Sequence, residues 1–155
     1  MMVSWIFHEE ESVNTVYLKI KSLTENLNIV RAQVSDAAQQ FGFDEESVNK
    51  IALSVDEACT NIIKHSYNYS PNNDIEIATA AKNSRFEVII IHQGSSFDPK
   101  SIKLPNLREH LTQYRRGGLG MYLIRSLMDE VEYKSLPNKK NEVRLIKYLK
   151  NKHYQ

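Results

Sequence analysis

Residues 57–65 read EACTNIIKH and combine polar and apolar side chains at helical spacing. This stretch lies in a long run with helical periodicity, in which Glu57, Asn61 and His65 recur every four residues and project along one side. The apolar positions of the same run form a neighbouring stripe, so the polar row follows the edge of the buried face. A carboxylate, an amide and an imidazole in this position suit the binding of a metal-bound polar ligand. A solvated helix edge is the alternative explanation.

Composition places limits on the kind of protein. The chain has 155 residues, of which 41% are hydrophobic and 25% charged, as expected for one globular domain spanning residues 1–155. A net charge of +1 gives no overall field that favours nucleic acid or anionic membranes. The single cysteine, Cys59, excludes an internal disulfide. No apolar run approaches the roughly 20 residues that span a bilayer, and no signal peptide is visible, so we expect a cytoplasmic location.

The hydrophobic pattern predicts the order strand, strand, helix, helix, strand, strand, loop, helix, strand, strand. Short turns between consecutive strands favour antiparallel pairing, and the apolar run 88–91 is typical of a central strand or one covered on both sides. We therefore predict an α+β two-layer sandwich, with a mostly antiparallel, mixed sheet of about five to six strands and three helices on one face. The predicted strands cover residues 2–8, 16–21, 75–77, 86–91, 131–136 and 143–149. The predicted helices run from Thr24 or Asn26 to Gly42, from Asp44 to about Tyr67, and over 121–128.

A glycine cluster provides a second signal. Residues 115–120 read RRGGLG and lead directly into a short amphipathic helix. Glycines let the backbone approach a ligand closely, and a helix N-terminus offers N–H groups and partial positive charge, so the segment can cradle a phosphate. It lacks the Lys-Ser/Thr ending of a P-loop, and a simple turn is the alternative. The residues before it, 100–116, are charged and weakly periodic, which predicts a mobile segment with one helical turn at 107–111.

The loop after the most apolar strand provides a third signal. Residues 92–99 read HQGSSFDP, and Gly94 permits the close approach of a flat ligand. Asp98 followed by Pro99 is better explained as the cap of the next turn.

These three segments, in this order, resemble the GHKL nucleotide-binding fold that gyrase, the heat-shock chaperone ATPases and the sensor histidine kinases share. Within that superfamily the chain is similar to the small anti-sigma-factor serine kinases of the RsbW type. The similarity extends from about Tyr17 to Leu149, and residues 1–14 look like an added strand or hairpin. The residues that carry it are 54–67 (SVDEACTNIIKHSY), 94–99 (GSSFDP) and 117–131 (GGLGMYLIRSLMDEV).

The resemblance implies that the chain binds ATP with Mg²⁺. Asn61 matches the asparagine that binds the Mg²⁺ ion, and an amide oxygen is a suitable hard ligand for it. Glu57 matches the proposed general base, His65 matches a histidine that orients the site, and Gly94 matches the glycine beside the adenine.

The resemblance also implies residues at the phosphate end and protein partners. The segment with Gly118, Leu119 and Gly120 matches the glycine turn at the phosphates, and Arg116 matches a lid arginine. The implied partners are a sigma factor, which is sequestered, and a STAS-type antagonist, which is phosphorylated on Ser or Thr. A homodimer is also implied; Trp5 and Phe7 near the N-terminus suit either that contact or packing on the sheet edge.

One position departs from the family pattern. Two residues before the glycine the family has an aspartate that accepts the adenine exocyclic N–H, whereas this chain has His92. A neutral imidazole accepts one hydrogen bond but carries no charge, which weakens binding by roughly 1.5–3 kcal/mol, or about ten- to a hundredfold. The alternative function is therefore a binding module on the same fold that sequesters a partner without using nucleotide.

Overall fold

The computed structural model describes residues 16–94 and 118–150. Three sequence predictions lie outside these ranges: the strand at residues 2–8, the mobile segment at 100–116, and the cap at Asp98.

The described strands form one five-stranded sheet in the order β1-β2-β3-β5-β4. All four pairings are antiparallel, so no parallel pairing occurs among the described strands and the predicted mixed character is absent from them. The apolar strand β3 is central, as its sequence predicted. The strands are β1 (Tyr17–Lys21), β2 (Asp74–Lys82), β3 (Arg85–His92), β4 (Glu130–Leu136) and β5 (Lys140–Tyr148).

Local sequence signals fix where the helices begin and end. A short 3₁₀ turn, Thr24–Asn26, precedes the first helix, and Gly42 ends that helix at a positive φ of 120°. The Asp44 side chain caps the second helix by accepting a hydrogen bond from the Ser47 N–H at 2.8 Å. The described α-helices are α1 (Leu27–Phe41), α2 (Glu45–Asn61) and α3 (Gly118–Leu127).

Successive strand residues point to opposite faces, and one face of the sheet is buried. On β2 and β3 the buried face carries Ile75 and Ile77 opposite His92 and Ile90. Helices α1, α2 and α3 all contact strands of the sheet and supply the other half of the same core. The predicted two-layer arrangement, with three helices against one antiparallel sheet, is confirmed.

The second face of the sheet is largely polar and has no covering element among residues 16–94 and 118–150. Ile89 and Ile91 of β3 are only half-buried there, so this strand is central without being covered on both sides by described residues. Glu87 lies between two guanidinium groups on this face, at 2.6 Å from Arg85 and 3.1 Å from Arg144. These ion pairs make the face polar, which opposes non-specific association.

Candidate functional site

Helix α2 positions the two polar groups that the sequence singled out. It packs against both α1 and α3, so the helix layer holds it in place. Glu57 and Asn61 are separated by four residues near the C-terminal end of α2, and they therefore lie on the same side, one turn apart.

Glu57 is a half-buried carboxylate that makes no hydrogen bond or ion pair within the described residues. Its neighbour Asp56 is paired with Arg31 of α1, which holds that carboxylate in a separate contact. Burial and the charge of Asp56 raise the pKa of Glu57, and Lys64 partly offsets the effect. The arrangement leaves Glu57 as a carboxylate with an increased affinity for a proton.

Asn61 is a buried amide, and only 4% of the residue is exposed. Its Nδ2 atom has no hydrogen-bond partner among residues 16–94 and 118–150. Buried polar groups are ordinarily paired, because an unmade hydrogen bond costs about 1–3 kcal/mol. The amide is therefore placed as expected for a residue that meets a polar ligand.

The long helix changes character directly after Asn61. Residues Ile62–Ser66 form a π-helical turn, whose wider ring closes through a 3.0 Å hydrogen bond from the Tyr67 N–H to the Ile62 carbonyl. The predicted α-helix to Tyr67 therefore ends at Asn61. The predicted polar row is also interrupted, because Asn61 is buried whereas His65 is exposed.

Tyr67 ties the end of this turn to two strands. Its hydroxyl donates a hydrogen bond to the Asp74 carbonyl at 2.7 Å and accepts one from the Gln93 N–H at 2.8 Å. The first contact reaches the start of β2, and the second reaches the residue after β3. The hydroxyl thus fixes the helix layer against one end of the sheet.

The hydrogen bonds of Tyr67 with Asp74 and Gln93 form a junction between the helix layer and the sheet. Gly94 lies against this junction with a φ of +97°. A Cβ atom at this position would be 2.8 Å from the Ser66 carbonyl oxygen and 2.9 Å from the Tyr67 ring. The backbone conformation and the absence of space both require glycine here. The Asn141 side chain also donates a hydrogen bond to the Gly94 carbonyl at 3.3 Å, which links β5 to the same point.

His92 ends β3 on the buried face and is 3% exposed. Its Nδ1 atom is 2.9 Å from the Gln93 carbonyl oxygen, and its ring meets the Tyr67 ring edge-on at a centroid distance of 6.2 Å. Burial lowers the pKa of His92, and the contact with Gln93 offsets this only in part. The imidazole is therefore neutral at pH 7.

The structure thus gathers Tyr67, His92 and Gly94 at one junction, and it places Glu57 and Asn61 on the helix that leads to it. The sequence predicted each of these residues except Tyr67, whose hydroxyl bridges could not be inferred from spacing.

Gly118, Leu119 and Gly120 form the first turn of α3, which contacts α2. Arg116 lies outside the described residues.

The donor set around Asn61 fits one kind of metal site only. Within residues 16–94 and 118–150, no group of three or more His, Cys, Asp or Glu side chains could hold a metal ion. Mg²⁺ bound with a nucleotide needs only one or two protein ligands, because phosphate oxygens and waters complete its octahedron. A single buried amide is consistent with that mode of binding.

The chain belongs to the histidine kinase-like ATPase domain family, whose model matches residues 20–147. Within that family it is RsbW-like: the serine-protein kinase RsbW of Bacillus velezensis is 36% identical over 142 residues, which cover 89% of this chain and 88% of the relative. Membership of an ATPase family implies nucleotide binding as the common property.

Two solved structures share the fold. The chain with the RsbU and RsbW domains of a Mycobacterium tuberculosis protein gives a TM-score of 0.62 at 16% identity, over 88% of this chain and 33% of that one. A chain of the SiaB–SiaC complex from Pseudomonas aeruginosa gives 0.60 at 11% identity, over 94% and 95%. Identities this low establish the fold alone.

A helix that crosses a bilayer needs about 20 predominantly apolar residues, and the described helices are short of this. None of those within residues 16–94 and 118–150 is long and apolar enough to cross a membrane.

Proposed function

We propose that this chain is an anti-sigma factor with protein serine/threonine kinase activity, which uses Mg-ATP to phosphorylate an anti-sigma-factor antagonist. One observation carries the proposal: a carboxylate of raised pKa, Glu57, lies one helical turn from the buried amide of Asn61, and neither the carboxylate nor the amide nitrogen has a hydrogen-bond partner among residues 16–94 and 118–150. The first group is suited to accept a proton, and the second is suited to a metal-bound polar ligand. The identity to RsbW supports the same activity.

Different residues of the chain would bind the metal ion, the phosphates and the base. Asn61 would hold the Mg²⁺ ion through its amide oxygen, and His65 would orient the site. The N–H groups of Gly118, Leu119 and Gly120, at the start of α3, would bind phosphate oxygens, with Arg116 nearby. Gly94 and His92 would lie beside the base. When bound, Mg-ATP supplies the γ-phosphoryl group and the charge neutralisation that its transfer requires.

Glu57 acts on the incoming protein hydroxyl. As the hydroxyl oxygen forms its bond to the γ-phosphorus and the bond to the ADP oxygen breaks, the carboxylate takes the hydroxyl proton. A carboxyl whose pKa is raised by burial holds that proton better than an exposed one, which favours transfer. Asp56 cannot substitute, because Arg31 holds it.

The proposal includes partners and a location. A sigma factor would bind the unengaged kinase, and an unphosphorylated STAS-type antagonist would compete for it and be phosphorylated. We further propose a homodimer. A kinase that consumes ATP and binds a sigma factor would act in the cytoplasm.

The decisive experiment follows labelled phosphate. Purified protein is incubated with Mg²⁺, γ-labelled ATP and a candidate antagonist, and the label on the antagonist is measured. We expect transfer by the wild type and none by the double variant Glu57→Gln, Asn61→Ala. Normal transfer by the double variant would exclude the assigned roles. Glu46→Gln is the matched control, since Glu46 is exposed on the same helix and pairs with Lys50.

The second candidate function is a partner-binding module that does not use nucleotide. The observation that favours it is His92, because a neutral ring stands where the family has a carboxylate. Calorimetry with Mg-ATP separates the two functions. Measurable binding supports the kinase, whereas no heat of binding at millimolar nucleotide supports the module.

A further inference from the structure

A groove lies at the end of the molecule opposite Asn61 and His92, and the phosphoryl transfer proposed above does not use it. The antiparallel register of β3 with β5 places the turn between β2 and β3 at one end of the sheet and His92 at the other. Ser47, in the first turn of α2, lies roughly 20 Å from Asn61 along the helix axis. We call this space the far groove; it encloses about 740 Å³ and is lined by residues from four segments, 42–50, 83–84, 129 and 147–150.

The floor of the far groove is apolar and rigid. Phe43 is only 7% exposed, and its ring packs against those of Phe41 and Phe86 at centroid distances of 5.7 Å. Leu149 is half-buried beside it and lies over Gly42, where an added Cβ atom would be 3.3 Å from the leucine Cδ2 atom. Because these side chains are held by the core, the floor is formed before any ligand arrives.

Three lysines line the same groove from two elements, Lys50 on α2 and Lys147 and Lys150 at the end of β5 and after it. The Lys147 ammonium donates a hydrogen bond to the Leu127 carbonyl at 2.9 Å, and since an ammonium has three donors it keeps donors for a ligand. Lys50 lies 3.3 Å from the carboxylate of Glu46, which is exposed and lies outside the lining. Lys150 is exposed.

The two aspartates of the lining are both bonded to the backbone. Asp44 accepts a hydrogen bond from the Ser47 N–H at 2.8 Å, and Asp129 accepts one from the Tyr148 N–H at 2.7 Å. These bonds fix the carboxylates to the wall of the groove, whereas the lysines are long and flexible. Three lysines against two aspartates give the lining a net positive charge, which attracts an acidic ligand.

We propose that the far groove binds an acidic, extended segment of a partner protein. Its carboxylates would meet Lys50, Lys147 and Lys150, and an apolar side chain between them would contact Phe43 and Leu149. The volume lies within the range of roughly 300–1,000 Å³ that is typical of binding clefts. The apolar floor favours a peptide over an inorganic polyanion, which gains nothing from apolar contact. The inference does not rest on nucleotide binding, because the far groove is remote from Asn61.

The first experiment measures the binding of a labelled peptide to the full chain. The probe is fluorescein-labelled Glu-Glu-Leu-Glu-Glu-Leu, followed by fluorescence anisotropy at about 50 mM salt, where screening is weak. We expect saturable binding that weakens as the salt concentration is raised. The double variant Lys50→Glu, Lys150→Glu should weaken binding roughly fivefold or more, since two exposed ion pairs are lost and repulsion is added. Lys147 is kept because it also bonds the Leu127 carbonyl.

The matched control is the double variant Lys134→Glu, Lys139→Glu. It makes the same change in net charge at two exposed lysines, on β4 and in the turn after it, and neither lines the far groove. The dissociation constant of the peptide should change by less than about twofold, because screening limits the reach of exposed charges.

The second experiment blocks the groove without changing its charge. Ser47 bonds Asp44 through its backbone N–H, so Ser47→Tyr keeps that hydrogen bond while the larger ring fills the space. Peptide binding should fall roughly tenfold or more through this clash, and the melting temperature should stay near that of the wild type. A peptide with Ser in place of both Leu residues should bind the wild type roughly three- to tenfold more weakly, because the contact with Phe43 and Leu149 is lost.

The alternative results each overturn the inference. Equal losses in the two double variants would show an effect of net charge alone. Displacement of the peptide by an equal concentration of sodium tripolyphosphate, or equal binding of the Leu and Ser peptides, would show a simple anion site. Absence of saturable peptide binding would exclude the far groove as a docking site. None of these results bears on phosphate transfer, since the peptide assay contains no nucleotide.

Discussion

The two ends of the long helix differ in what holds their functional groups. Glu57 and Asn61 lie on the regular α-helix α2, and their relative position follows from helix geometry alone. Ser66 lies in a π turn, and its surroundings depend on Tyr67, whose hydroxyl bonds the start of β2 and the residue after β3. Changes at the first end should therefore affect chemistry with little cost in stability, whereas changes at the second should affect stability and base recognition together.

The largest expected effect is on catalysis at the regular end. Glu57→Gln should lower the rate of phosphoryl transfer roughly 10²–10⁴-fold, because the amide cannot accept the hydroxyl proton. The half-buried side chain keeps its size, so the melting temperature and the affinity for Mg-ATP should stay close to wild type. Single-turnover transfer from labelled ATP, together with calorimetry, measures the two effects separately.

Asp56→Asn is the matched control for this comparison. It changes the neighbouring carboxylate, whose ion pair with Arg31 is partly exposed and worth about 0–1 kcal/mol. Transfer should remain near the wild-type rate. If Asp56→Asn abolished transfer and Glu57→Gln did not, the base would be assigned to the wrong carboxylate.

The next effect is on stability at the junction. Gly94→Ala should destabilise the fold by roughly 2–5 kcal/mol, which combines backbone strain at φ +97° with a clash against the Ser66 carbonyl and the Tyr67 ring. Urea unfolding followed by circular dichroism gives the free energy.

Gly42→Ala provides the comparison for that measurement. This glycine also has a positive φ, of +120°, but its added Cβ would meet only the flexible end of Leu149 at 3.3 Å. The loss should be limited to strain, about 1–3 kcal/mol. Equal losses at the two glycines would show that the contacts around Gly94 are not as close as the structure indicates.

The sequence predicted most of the fold for physical reasons that are local. Caps and turns such as Asp44 and Gly42 depend on neighbouring residues only, and alternation along a strand such as β3 reports directly which face is buried. Short turns predicted the antiparallel pairing of β2 with β3 and of β4 with β5, whereas the pairings of β1 with β2 and of β3 with β5 join strands far apart in sequence and were not predicted. The polar character of the second sheet face was not predicted either, because the pairing of Glu87 on β3 with Arg144 on β5 depends on strand register.

The candidate site was predictable only where one element carries it. Helical spacing alone places Glu57 and Asn61 on one side of one helix. The π turn could not, since nothing in the sequence marks the change of hydrogen-bond pattern after Asn61, and this change separates His65 from the row. The burial of Ser66 is likewise a property of three-dimensional packing, not of spacing.

A smaller effect on the free energy of unfolding is expected at Tyr67, whose hydroxyl links the π turn to β2 and to the residue after β3. Tyr67→Phe removes a hydroxyl that makes two hydrogen bonds, and the loss should be roughly 1–3 kcal/mol. Tyr69→Phe, at an exposed neighbour with 62% of its surface accessible, should stay within about 0.5 kcal/mol. Thermal unfolding measures both. The rate of hydrogen exchange at the Gln93 amide should also rise in Tyr67→Phe. An unchanged rate would argue against the hydrogen bond from this amide to the Tyr67 hydroxyl.

The smallest effect is a dependence of nucleotide affinity on pH. Burial lowers the pKa of His92 below its ordinary value of about 6.5, so the ring is neutral at pH 7 and Nε2 accepts. Affinity for ATP should be constant above pH 6.5 and fall in more acidic solution as the ring takes a proton, by at most about tenfold per pH unit. Stability should fall in the same direction, because the unfolded chain binds this proton more readily than the folded one.

Two variants assign this dependence to His92. In His92→Gln the amide oxygen accepts at every pH, so the decline in ATP affinity should flatten. Glu46→Gln, at an exposed carboxylate that pairs with Lys50 and has no part in the site, should keep the wild-type profile. Melting temperatures recorded at each pH separate loss of binding from loss of fold. A decline that persists in His92→Gln would place the titrating group elsewhere, and base recognition would then no longer depend on the junction that Tyr67 holds.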